Sequence, residues 1–181
     1  MKMLIASDLH GSSKYIKKLW DCYDVEKPDR IILLGDLLYH GPRNGLPEEY
    51  DTNIAIELLN SKSTAITCIR GNCDSEVDEM VLDFLITAPH MILSDSGLNI
   101  FITHGHYYNL NHLPPMANID VLLHGHTHIP AFEKIADNKY YINPGSVSIP
   151  KGGSDNSYII YENRKFIWKN LDMKVCREEQ L

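Results

Sequence analysis

The chain has 181 residues, of which 44% are hydrophobic and 23% charged; this balance excludes a disordered polar chain and suits one globular domain. A formal net charge of −7 at pH 7 argues against the basic face of a general nucleic-acid binder, but not against a phosphate substrate, because bound cations reverse the local field. The four cysteines, Cys22, Cys68, Cys73 and Cys176, form no CxxC pair and read as reduced thiols. No window approaches the roughly 18 apolar residues of a membrane span, and the short apolar run at the start meets Asp8 too early for a signal peptide. The expectation is a soluble, cytoplasmic protein that neither enters a membrane nor binds a nucleic-acid polymer.

In chain order, residues 3–7 are a short apolar run, as in a strand buried on both faces. Ser12 or Ser13 can cap a helix to about Tyr23, with Ile16, Leu19 and Trp20 spaced along one side. Pro28 and Asp29 end the connection, and RIILL (30–34) is a second buried strand. Residues 39–50 carry Pro and Gly pairs and read as a long loop, a type that is often functional. A helix over 52–60 and a strand over 64–69 follow. Ser75, with Asp78 at the capping-box position, predicts a helix that turns Val77, Met80, Val81 and Phe84 inward. The second half predicts strands near 90–94, 98–103, 120–123, 130–136, 139–143 and 157–161, with a hairpin turn at Asp137-Asn138. Residues 144–154 form another Gly/Pro-rich loop, and the polar stretch 170–181 is expected to be loosely held.

Strands 3–7, 30–34, 64–69, 98–103 and 120–123 each end just before a segment rich in Gly, Asp, Asn or His. Ligands gather outside the carboxyl ends of strands in α/β sheets, so five polar segments can converge there. Asp8 and His10, one residue apart, can point the same way and grip one ion. Asp36 offers two oxygens that could bridge two cations; Asn72 offers an amide oxygen; His104, His126 and His128 offer imidazoles. Carboxylate–imidazole sets of this kind suit Mn, Fe, Co, Ni or Zn rather than Ca or a zinc–thiolate site. Taken singly, Asp8, Asp36 and Asn72 read as ordinary turn residues and His104 as a core or surface histidine. The ordered set, with three histidines among residues 124–128, reads as a metal centre.

The stretches MLIASDLHGS, ILLGDLLYHGPRN, IRGNCDSEVD, ITHGH, LLHGHTHIP and INPGSVSIPKGG resemble the calcineurin-like metallophosphoesterase superfamily, and within it the YfcE-type phosphodiesterases. The resemblance implies a four-layer α/β/β/α sandwich of two mixed sheets, formed by a single domain over residues 1–181. It implies two divalent ions, manganese first, with Fe, Co, Ni or Zn as alternatives. Asp8, His10 and His128 would hold one ion, Asn72, His104 and His126 the other, and Asp36 would bridge them. It further implies hydrolysis of a small phosphodiester by a water or hydroxide shared between the ions. Similar proteins often self-associate, so a homo-oligomer is compatible with the resemblance.

One departure is informative. Many superfamily members read GNH, and that His contacts phosphate and can protonate the leaving group; here the segment is GNCD. A thiol is a weaker hydrogen-bond donor than imidazolium, so Cys73 either fills space or marks a site that favours good leaving groups. With Asp36 and Asn72, Cys73 completes the expected catalytic positions. Arg43 and Asn44 are candidates to bind the substrate phosphate alongside Cys73. His40, His106 and His124 are candidates to orient the ligands, Asp74 to cap the helix after Ser75, and Ser146 and Lys151 sit in a loop near the site without an assigned role. Two other readings fit the same residues: a phosphomonoesterase on the same metal pair, and a non-catalytic protein-binding scaffold of this fold, like the retromer subunit that shares it. The filled ligand set argues against the scaffold.

Overall fold

The computed structural model describes residues 1–181. Three strands, β1 (Met3–Ala6), β2 (Arg30–Leu33) and β3 (Ile66–Cys68), run parallel and are joined by helices α1 (Ser13–Glu26) and α2 (Thr52–Asn60). After α3 (Glu76–Glu79) come β4 (His90–Asp95), β5 (Leu98–Thr103), β6 (Val121–Leu123), β7 (Ala131–Ala136), β8 (Lys139–Asn143), β9 (Ser157–Glu162), β10 (Lys165–Asn170) and β11 (Val175–Gln180). They form two mixed sheets, in the orders β11-β10-β9-β1-β2-β3 and β4-β5-β6-β8-β7. The sandwich of two mixed sheets is therefore as expected.

Strand alternation builds the layers. In β1, Met3 and Ile5 face the second sheet and join Ile32, Ile100, Ile102, Val121, Leu123, Ile142 and Trp168 in the core between the sheets. Leu4 and Ala6 point the other way, into a core with Ile16, Leu19 and Trp20 of α1 and Ala55 and Leu59 of α2. Ser12 caps α1 by accepting the Tyr15 N–H, and Asp51 caps α2 by accepting those of Asn53 and Ile54. The outer face of the second sheet is covered by the loop after β5, whose Tyr108 and Met116 pack on Phe101, Leu122 and Tyr141.

Two expectations fail. The helix after Ser75 is a single turn, and Val77, Met80 and Val81 are exposed rather than inward; Leu82 and Ile86 are buried instead. Asn60, at the end of α2, explains the stop: its Nδ2 donates to the Val81 carbonyl and its Oδ1 accepts the Asp83 N–H. Those backbone groups are lost to a continuing helix. The segment 170–181 is not loose, because β11 pairs along β10 and Arg177 lies 5.0 Å from the Phe132 ring centre and 5.8 Å from that of Trp168.

A candidate dinuclear metal centre

Because β1, β2 and β3 are parallel to one another, as are β5, β6 and β8, their carboxyl ends meet along one rim. The loops after β1 and β2 are tied together by the backbone: Leu9 and His10 N–H donate to the Asp36 carbonyl, and Gly11 N–H to that of Leu37. Five of the seven predicted ligands, Asp8, His10, Asp36, His126 and His128, have left-handed backbones, with φ of 58°, 46°, 57°, 64° and 62°. Each such residue costs about 1–3 kcal/mol, so the surroundings must hold it. The loop from Pro144 does so for Asp8: Ser146 and Ser148 hydroxyls both donate to its carbonyl, at 2.9 and 3.0 Å. Ser146, unassigned from sequence, thus acts on the backbone of a candidate ligand.

Two glycines are required by close approach. A Cβ at Gly71 would overlap Asp36 Oδ1, and one at Gly125 would overlap the Ser7 hydroxyl and come within 2.7 Å of Asp8 Oδ2. The Gly of the GN and GH segments therefore lets a carboxylate lie directly on backbone. Asp74 corrects its expected role. It does not cap α3; its buried carboxylate accepts the N–H groups of Asp36 (2.9 Å), Leu37 (2.8 Å) and Gly71 (2.6 Å), clamping the loops after β2 and β3.

The side chains form two clusters. In the first, His10 Nδ1 donates to Tyr39 O (2.8 Å) and His128 Nδ1 to Ile149 O (2.6 Å). A carbonyl only accepts, so in each neutral ring the proton sits on Nδ1 and the Nε2 lone pair faces inward. These Nε2 atoms are 3.3 Å apart and lie 3.7 Å (His10) and 3.3 Å (His128) from Asp8 Oδ1. That oxygen is buried and accepts no hydrogen bond. In the second cluster, His104 Nδ1 donates to Leu34 O (2.7 Å), aiming Nε2 at Asn72 Oδ1 (3.1 Å) and His126 Nδ1 (3.2 Å). Asn72 turns its oxygen inward because its Nδ2 donates to Cys73 Sγ. Asp36 lies between: Oδ1 accepts the Cys73 N–H, while Oδ2 is 3.8 Å from His10 Nε2 and 3.3 Å from His104 Nε2.

All seven predicted ligands therefore come together, as acceptors with few donors among them. Such a set, with an orphaned buried carboxylate oxygen, fits divalent cations. The electrostatics agree. Burial would raise Asp8, but when the facing Nε2 atoms of His10 and His128 carry protons in place of a cation, these rings, with His104 behind them, hold its carboxyl well below the usual range. Burial would lower His104, yet the Asp36 and Asp8 carboxylates raise it to about 9, a measure of the local negative field. His126 is lowered to about 4 by burial and by His104.

Beside the clusters opens a cleft of about 320 Å³ lined by Asp36, Asn72, Cys73, His126 and His128 together with Arg43, Asn44, Thr127 and Lys151. The predicted substrate residues Arg43, Asn44 and Cys73 do face it, and Asn44 is held by donating to His40 O. Thr127, inside the GHTH segment, is not expected from sequence to line it, and Lys151, expected near the site without an assigned role, does line it. Cys73 packs so closely beneath the loop that a Cβ at Gly41 would lie 3.0 Å from its Sγ. Burial, with the Asp36 carboxylate, pushes its thiol up to about 12. His124 is buried, tilted against Tyr141 at 4.6 Å, and its Nδ1 contacts Gly125 O rather than the clusters. All four cysteines are free, and no helix is long and apolar enough to cross a membrane.

Known proteins share this sequence and this fold. Phosphodiesterase YfcE of Escherichia coli K12 is 43% identical over 163 residues, covering 90% of this chain and 88% of that protein. A solved structure of YfcE, described as a phosphoesterase from E. coli, superposes with a TM-score of 0.94 at 40% identity, covering 99% of this chain and 98% of the other. Vps29 of Chaetomium thermophilum, at 17% identity and a TM-score of 0.64 over 100% of this chain and 97% of that one, shares the fold alone. The model of the calcineurin-like phosphoesterase superfamily domain matches residues 1–165, and the chain belongs to that superfamily.

Proposed function

We propose that the whole chain, residues 1–181, acts as one metal-dependent phosphodiesterase domain on small phosphodiesters, with two divalent ions, manganese first. The observation that carries this reading is the pair of acceptor clusters joined by Asp36 Oδ2. Asp8, His10 and His128 would hold one ion, Asn72, His104 and His126 the other, and Asp36 would serve both. Divalent ions bound there supply Lewis acidity toward a phosphoryl group and make a nucleophile available near neutral pH.

The protein's share is positioning and charge. The carbonyls of Tyr39, Leu34 and Ile149 fix three imidazoles in the tautomer that offers Nε2. Arg43 and Lys151 put two cations on the wall of an otherwise acidic protein's cleft, where they can neutralise a phosphate's outer oxygens. Asn44 presents its side chain from a fixed turn. Cys73 occupies the place where an imidazole would stand in GNH members. As a neutral thiol it gives little help to a departing alkoxide, so esters with good leaving groups are favoured. Hydrolysis of bis-p-nitrophenyl phosphate and p-nitrophenyl phosphate, with and without Mn²⁺, tests the proposal. Metal-dependent turnover that favours the diester is expected; failure to cleave either ester with any divalent ion would favour a non-catalytic role, and a preference for the monoester would favour the phosphomonoesterase reading.

A further inference from the structure

A second cavity, separate from the cleft of Arg43 and Lys151, lies next to the metal centre. It measures about 330 Å³ and is lined by Pro89, His90, Thr103, His106, Tyr107 and Tyr108. His106 joins it to the centre, its ring lying 5.5 Å from that of His104 and 6.4 Å from that of His126. The walls are rings. His90 stacks on Phe101 at 5.0 Å and 18°, and Tyr108 stands edge-on to both, at 6.1 and 5.4 Å. Tyr107 is braced at 4.8 Å by Tyr108 and at 4.7 Å by His112, yet 59% of it is exposed. An aromatic side chain held by its neighbours and left open to solvent is a platform with its ordering cost already met.

A phosphodiester carries two ester groups, so a phosphate seated between the clusters must send them in two directions. The Arg43–Lys151 cleft, lined mainly by polar residues, takes one. Next to His104, across the His106 ring, the space available is the ring-lined cavity. Resting on the phosphodiesterase reading above, we infer that the cavity around Tyr107 is a subsite for a flat aromatic group on one arm of the substrate, so that the preferred diesters bear a planar ring, as a nucleoside base is. Stacking needs only a π-face, so the subsite selects rings as a class without reading hydrogen bonds at their edges.

The test uses ligands whose P–C bond is not cleaved and that differ only in the ring: 3-phenylpropylphosphonate and propylphosphonate, titrated calorimetrically into the manganese-loaded protein. Wild type is expected to bind the phenyl compound about tenfold more tightly, the usual size of one stacking contact. Tyr107→Ala should remove that preference while leaving propylphosphonate affinity within twofold, and Tyr107→Phe should keep it. Equal affinities in wild type, or a preference that survives in both Tyr107→Ala and His106→Ala, overturn the subsite and leave the phosphodiesterase reading standing. If neither phosphonate binds the metal-loaded protein, the reading beneath it fails and the subsite falls with it.

Discussion

His10 Nε2 and His128 Nε2 face each other at 3.3 Å across the buried, unpartnered Oδ1 of Asp8. With both Nδ1 protons committed to carbonyls, the two Nε2 atoms have no hydrogen to share unless a cation or a further proton comes between them. Metal binding should accordingly stabilise the fold. At a free Mn²⁺ concentration of 100 times Kd the gain is about 2.7 kcal/mol, readable as a higher Tm than in chelator. The affinity should fall as pH drops, because protons compete for the same nitrogens. A Tm indifferent to chelation would contradict this.

Asp74 is the clamp between the loops that carry Asp36 and Asn72. Asp74→Ala leaves three buried N–H groups without an acceptor, and should cost about 2–5 kcal/mol in urea unfolding together with weaker metal binding. Asp74→Asn keeps one acceptor oxygen and should fall between wild type and Ala. Wild-type stability and metal affinity in Asp74→Ala would show that the clamp is dispensable.

Gly125 and Gly45 make a matched pair of alanine substitutions. At Gly125 the added methyl would collide with Ser7 and crowd Asp8, while at Gly45 it meets nothing within 4 Å. Gly125→Ala should cost about 1–3 kcal/mol from overpacking and abolish turnover. Gly45→Ala should be neutral or slightly stabilising. Equal thermal shifts in the two variants would refute the close-approach argument.

The strands and their rim were legible because buried parallel strands print as short apolar runs, and each of these runs stops at a chemically distinctive segment. The tautomers were not, since they depend on the carbonyls of Tyr39, Leu34 and Ile149, which any residue supplies. The clamp role of Asp74 is hidden in the sequence because an Asp before a Ser-led helix is also what a cap looks like. The helix expected after Ser75 stops after one turn although the spacing of Val77, Met80, Val81 and Phe84 is helical; what stops it is Asn60, distant in sequence. The last two strands, β10 and β11, are not among the strands expected from sequence; β11 is an edge strand with almost no buried side chain, so its sequence, VCREEQ, shows no alternation. In β10 a signal is present, because Phe166 and Trp168 alternate, but it spans only two buried positions.

Glu26 provides a pH-dependent term remote from the metal centre. Burial would raise its carboxyl, but Lys169 and Lys2 outweigh burial and lower it; Lys2 Nζ is 3.0 Å from Oε2, and Lys169 pairs with Oε1. A folded-state value below the unfolded one stabilises the protein above the ordinary Glu range near pH ~4.3, and this contribution is lost as pH falls through the folded value. Glu26→Gln should therefore be less stable than wild type at pH 7, with the gap closing in acid. A gap constant from pH 7 to pH 3 would mean that packing, not charge, carries the effect.

The central claim is that seven side chains hold two divalent ions, with Asp36 shared. Calorimetric titration of Mn²⁺ into chelator-treated protein, beside Asp36→Ala and His128→Ala, tests it most directly. Two ions per chain are expected in wild type, with a loss of bound metal in both variants and loss of diesterase turnover with it. A single ion in wild type, or two ions and full turnover in either variant, would contradict it.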